Sequence, residues 1–166
     1  MFYAYGSDLH LSGYTDADWA GSPYDRRSTS GYSFTLGSGA VSWSSKKQPT
    51  VALSSTEAEY RGAALAACEI DWLCTLLHSL DIVVDYAVVL YCDNMSSIKL
   101  SSNPVFHART KHIEVHYHFI REKVIAGEID LSMSALLCRW LTSSQSPWVQ
   151  RSSNSLGTHL VLCLLM

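Results

Sequence analysis

Residues 11–21 read LSGYTDADWAG. The run alternates from Leu11, meets Asp16 and Asp18, and breaks at the turn Gly21-Ser22-Pro23. It predicts a first strand, Leu11 to Ala20, that carries a carboxylate near its end. Two more acids occupy comparable places. Asp93, in LYCDN (90–94), closes the apolar run Ala87 to Cys92, which predicts another strand. Glu59, in LSSTEAEY (53–60), falls in the opening of a long predicted helix. A lone acid is usually a solvated surface residue, because acids are rarely buried. Three carboxylates delivered from two strand ends and a helix start are different: together they form an oxygen donor set suited to a hard divalent cation such as Mg²⁺. Asp16 is preferred to Asp18 because it directly follows the apolar run, although a period of two lets both face one side.

The other elements follow from local signals. Ser30 to Leu36 alternates as a half-buried strand, Gly37-Ser38-Gly39 turns, and Ala40 to Ser45 returns, so Ser30 to Ser45 is a hairpin. Lys46 to Pro49 is polar loop. Ser54-Ser55-Thr56-Glu57 fits a capping box, with Ser54 as cap and Glu57 reaching back. That use of Glu57 leaves Glu59 for chemistry. The helix should run to about Leu80, since Tyr60, Ala64, Ala67, Cys68, Leu76, Leu77 and Leu80 recur near helical spacing. A short helix is expected over Met95 to Leu100, and another over Ile113 to Ala126. A fifth strand is expected over Glu128 to Leu131. Strands interleaved with helices in this order predict an α/β fold, a mixed sheet with helices on its faces.

Length and composition agree with one domain. The chain has 166 residues, 48% hydrophobic and 16% charged, enough apolar material for a core. Net charge is -3 and the pI about 6.1, so any basic surface for phosphates must be local, as at Arg26-Arg27, Lys46-Lys47, Arg109-Lys111 and Arg121-Lys123. The five cysteines form no CxxC and their number is odd, which predicts reduced thiols and an intracellular setting. No signal peptide or membrane span is expected, because no apolar run approaches about 18 residues. His112 and His116 share a helix face, but Glu114 stands two residues after His112, so the zinc-protease pattern is absent.

The strings GYTDADWAG (13–21), RRSTSGYSFTLGSGAVSWSSKKQPTVALSSTEAEY (26–60), YCDNMSSIKL (91–100) and HARTKHIEVHYHFIRE (107–122) resemble the ribonuclease H domain of copia-type retrotransposon Pol polyproteins. The resemblance spans about residues 11–131. It implies a ribonuclease H-like five-stranded mixed sheet flanked by helices. It also implies endonucleolytic cleavage of the RNA strand of RNA–DNA hybrids, with two Mg²⁺ ions (Mn²⁺ as a substitute) held by Asp16, Glu59 and Asp93. Implied partners are the hybrid and the reverse transcriptase portion of the same polyprotein, in a cytoplasmic particle or the nucleus. Ser28, Thr29, Asn94, Arg109, Lys111 and His112 are candidate nucleic-acid contacts. For Ser28 and Thr29 the alternative is a turn-capping role.

Residues 132–166 contain no Asp or Glu, while all 15 acids precede them. The resemblance implies a fourth acid near the C-terminal end, in a segment of the form A-D-x-F-T-K, and this chain has none. A reading frame shifted by one base after Leu131 would restore that segment; Met133, Trp140 and Trp148, which have unique codons, all permit it. The expected organisation is therefore a domain over 1–131 and a degenerate, serine-rich, poorly ordered tail over 132–166. Three readings stand: a ribonuclease H-type nuclease impaired by the missing acid, a catalytically dead remnant that at most binds nucleic acid, and an integrase-like core acting on DNA.

Overall fold

The computed structural model describes residues 9–94 and 114–133. Strands β1 (Leu11–Asp18), β2 (Thr29–Leu36) and β3 (Gly39–Lys47) form an antiparallel meander. Helix α1 (Ser55–Ser79) then leads to β4 (Val88–Cys92), and α2 (Glu114–Ile125) precedes β5 (Ile129–Met133). The five strands make one mixed sheet in the order β3-β2-β1-β4-β5, with β4 parallel to both β1 and β5. The expected five-stranded mixed sheet with flanking helices is the observed one. The expected short helix over 95–100 lies outside the described residues.

The meander forms because its alternation is in register. Leu11, Gly13, Thr15 and Ala17 are buried and stand opposite Leu36, Phe34, Tyr32 and Ser30 of β2. Gly13 is needed at its place because a Cβ there would collide with the Phe34 ring. Leu11, Phe34, Val88, Leu90 and Ile129 from the sheet pack against Ala66, Ala67, Ile70, Leu73 and Leu77 of α1. At roughly 1.5–3 kcal/mol for each large apolar side chain fully buried, this cluster anchors the middle and far end of α1. A second cluster, Tyr60, Ala63 and Ala64 with Tyr117 and Ile120, docks α2 beside it.

Three boundaries differ from the sequence expectation by two residues. β1 stops at Asp18 rather than Ala20, because Ala20 turns into the left-handed region at φ 53°. β3 runs to Lys47 rather than Ser45, because Lys46 and Lys47 still pair with Ser30 and Thr29. β5 runs to Met133 rather than Leu131: Ser132 and Met133, just past the expected domain end, pair with Tyr91 and Cys92. Ladder hydrogen bonds use backbone groups, so β4 can template strand from either side-chain composition.

Candidate metal centre

The opening of α1 is set by two committed polar groups. The Ser54 hydroxyl accepts the Glu57 amide at 3.1 Å, as an N-cap should. The Glu57 carboxylate reaches back one residue further than a capping box requires, taking the Leu53 amide at 2.7 Å. It also pairs with Arg61 one turn on, at 2.6 Å, and Arg61 in turn bonds the Thr50 hydroxyl and carbonyl. Glu57 is thereby fully occupied as structure although it is only 1% exposed. Glu59 has another fate.

α1 starts very close to the sheet. Ala17, Ala52 and Ala58 bury their methyl groups together. At Gly62, a Cβ would already lie 3.4 Å from Thr15 Oγ1, 3.5 Å from Ser30 Oγ and 3.6 Å from the Asp16 carbonyl oxygen. This close approach brings the Glu59 carboxylate to β1, where Oε1 accepts the Ala17 amide at 3.2 Å. The other oxygen, Oε2, is buried with no hydrogen-bond partner among the described residues.

Asp16 of β1 is 5% exposed and Glu59 6%; Asp93, just past β4, is exposed. One carboxylate oxygen from each lies within 4.8 Å of the others. Three elements thus converge on one point, closed by two buried acids and open to solvent at the third. The electrostatic consequence is large for Glu59. Burial first, then the charges of Asp16 and Asp93, raise its pKa from 4.5 to about 9, against a small opposing pull from the Ala17 amide. Asp18 stays out of the cluster: its carboxyl folds back over Gly21, into the space a Cβ there would take, and burial raises its pKa.

These residues suit a divalent ion. All donors are oxygens, which favours Mg²⁺ or Mn²⁺ over softer metals. Ligands at about 2.1 Å around an octahedral Mg²⁺ are separated by about 3–4 Å, within modest reach of the observed spacing. The bare, buried Glu59 Oε2 is the atom that most needs a cation.

The remaining candidates are placed as follows. Ser28 is fully buried and its hydroxyl accepts the Ala20 amide at 3.1 Å, so it holds the β1–β2 turn and presents no face to a phosphate. This corrects the contact suggested for it. Thr29 is half-buried at the start of β2, and Asn94 is half-buried beside Asp93. Arg109, Lys111 and His112 lie outside the described residues. Sequence reasoning passed over Gln48 as polar loop, yet its side chain is 2% exposed. No periodic or compositional signal marks it.

Comparison with known proteins bears on the fold and the kinship of the chain. No family model matches the chain. It is 50% identical over 129 residues, 78% of its length, to the retrovirus-related Pol polyprotein from transposon RE2 of Arabidopsis thaliana. It is 54% identical over 119 residues, 72% of its length, to the corresponding polyprotein from transposon TNT 1-94 of Nicotiana tabacum. The chain spans about 9% of the length of either relative. Among solved structures, the N-terminal RNase H domain of rv2228c from Mycobacterium tuberculosis aligns with a TM-score of 0.51. That alignment has 13% identity and covers 86% of this chain and 98% of that one. Kinship in sequence and likeness in fold agree: the chain's homologues are retrovirus-related Pol polyproteins from copia-type transposons, and its fold is that of an RNase H domain.

Proposed function

We propose that this chain is a ribonuclease H-type endonuclease by descent, cutting the RNA strand of RNA–DNA hybrids with the help of Mg²⁺ or Mn²⁺. The observation that carries the reading is the convergence of Asp16, Glu59 and Asp93 within 4.8 Å, with one buried Glu59 oxygen unsatisfied. Bound divalent ions would lower the pKa of an attacking water and stabilise the departing 3′ oxygen of an in-line phosphoryl displacement. Asp16, Glu59 and Asp93 would together hold such ions through their carboxylate oxygens. The chain offers no acid after Asp130. The second ion position is therefore short of a ligand, and activity is expected to be impaired rather than full.

Hybrid binding calls for a reader of the 2′-hydroxyl and for phosphate contacts. Glu59 and Asn94 would serve the first, and Thr29, Arg109, Lys111 and His112 the second. Arg26 and Lys46, exposed and making no ion pair among the described residues, border the same end of the sheet through the β1–β2 turn and the end of β3. Trp19 stands there too, 49% exposed and fixed by an indole bond to the Ala52 carbonyl at 3.1 Å, as a stacking surface for a base. The reverse transcriptase portion of a longer polyprotein is the expected physical partner, in an intracellular setting. No helix among the described residues is long and apolar enough to cross a membrane.

The acid-free stretch 132–166 favours one second reading, a remnant that binds nucleic acid without cutting it. Titrating Mg²⁺ or Mn²⁺ against an end-labelled hybrid separates the two. Metal-dependent loss of the RNA strand supports the nuclease. Retention of the hybrid without cleavage supports the remnant, and cutting of duplex DNA instead would point to an integrase-like core.

A further inference from the structure

The start of α1 packs Tyr60, Ala63 and Ala64 on α2, but it meets the sheet through little apolar surface. Where the helix meets β1, only the methyl groups of Ala17, Ala52 and Ala58 are buried together, while Ile70, Leu73 and Leu77 anchor its far end. Yet this start must place Glu59 to within a fraction of an ångström for three carboxylates to share an ion. Gln48 supplies the missing constraint. Its backbone amide donates to the Ser28 carbonyl at 2.8 Å, fixing the loop to β2. Its side-chain Nε2 then donates to two acceptors at once: Ser30 Oγ of β2 at 2.8 Å and the Ala58 carbonyl of α1 at 2.9 Å. Ser30 stands opposite Ala17, whose amide holds Glu59, and Ala58 directly precedes Glu59. The contacts close a ring running from Glu59 through Ala58, Gln48, Ser30 and Ala17 back to Glu59. The Gln48 oxygen, Oε1, is buried without a partner among the described residues. A carboxamide kept for stability alone would be expected to satisfy its acceptor as well as its donors.

We infer that Gln48 is the positioning residue of the acid centre: its Nε2 clip between Ser30 and Ala58 sets the reach of Glu59, and the cation affinity of the centre depends on it. The inference rests on the metal-centre reading above. Gln48 touches neither ion nor substrate; it acts on the ligand from outside the coordination shell. Outer partners of this kind typically change metal affinity by about 10–100-fold when removed.

The test uses the full chain and Mn²⁺ alone, followed by calorimetry and by the electron paramagnetic resonance signal of free Mn²⁺. Gln48→Met keeps the side-chain volume and removes both donors. It is expected to weaken Mn²⁺ binding about tenfold at temperatures where circular dichroism shows it fully folded. Leu77→Ala, in the core at the opposite end of α1, is the control for general destabilisation; it should lower the melting temperature and leave Mn²⁺ affinity within about twofold of wild type. Should Gln48→Met not fold, Ser30→Ala removes one arm of the clip and is expected to weaken binding about threefold, short of the full loss of an outer partner. Wild-type affinity in the Gln48 and Ser30 variants, or an equal loss in Leu77→Ala, overturns this inference alone. Failure of the wild type to bind Mn²⁺ overturns the metal centre itself, and the inference with it.

Discussion

Towards the far end of α1, Asp71 accepts from the Lys123 ammonium at 2.9 Å, and the same ammonium reaches Glu128 at 2.7 Å. One cation of α2 thus ties α1 to the turn before β5. Near the start of α1, Glu57 is likewise closed off by Arg61 and the Leu53 amide. Glu59, which follows it by two positions, is left with one amide and one bare oxygen beside two further acids. Charge at Asp71 and Glu57 is spent on architecture; charge at Glu59 is suppressed by a bound proton near neutral pH until a cation takes that proton's place. A fold optimised for stability alone would not bury an acid whose nearest charged neighbours include Asp16 and Asp93. The difference separates structural carboxylates from a candidate ligand set inside a single helix.

The contrast can be broken most sharply at Asp16. Asp16→Asn keeps shape and removes one ligand charge, and hybrid cleavage should fall by about 10³-fold or more, given several kcal/mol of metal-derived stabilisation at 1.36 kcal/mol per decade. Cleavage of a labelled hybrid surviving at the wild-type rate would remove Asp16 from the site.

Next comes Arg61→Met, which leaves Glu57 buried and without its cation. The loss should be about 3 kcal/mol in urea unfolding. A loss near zero would mean that Glu57 is not the structural acid described above.

Glu59→Gln should act in the opposite direction on the metal-free protein. The folded pKa of Glu59, about 9, lies above its ordinary 4.5, so folding near neutral pH takes up a proton. Stability is then full below about pH 4.5 and declines as the pH rises toward about 9. Replacing the acid with an amide should remove that slope and stabilise the metal-free chain at pH 8 by about 1–3 kcal/mol, while destroying Mn²⁺ binding. Saturating Mg²⁺ should flatten the wild-type slope as well. A metal-free melting temperature that rises between pH 5 and 9 would contradict the assignment.

The smallest effect is expected at the opposite end. Lys123→Met should lower stability by about 1 kcal/mol or less, since its pairs are partly solvated, and should leave Mn²⁺ affinity untouched. A change in metal binding there would show that the two ends of α1 are not independent.

Much of this was legible in the sequence. Strand alternation placed β1, β2 and β3 to within one or two residues, because burial of one face imposes a period of two. The Ser54 cap and the helical spacing to Leu80 placed α1. Asp16, Glu59 and Asp93 were visible as acids at element ends. Ser28 was misjudged in one of its two readings because a hydroxyl beside a turn looks the same whether it points inward or outward; only the bond from Ala20 decides. Gln48 was invisible because a glutamine between a lysine pair and a proline reads as loop, and the two acceptors that define it come from β2 and α1. The end of β5 was misplaced because pairing with β4, not local composition, extends it.

By itself the sequence determined the order of the elements and which acids would stand at their ends, since periodicity, caps and turns act between near neighbours along the chain. Only the tertiary structure decided that Glu59 is deprived of solvent beside Asp16 and Asp93 while Glu57 is neutralised. Burial and Coulomb repulsion depend on distances through space, and those exist only once α1 has been brought down onto the sheet.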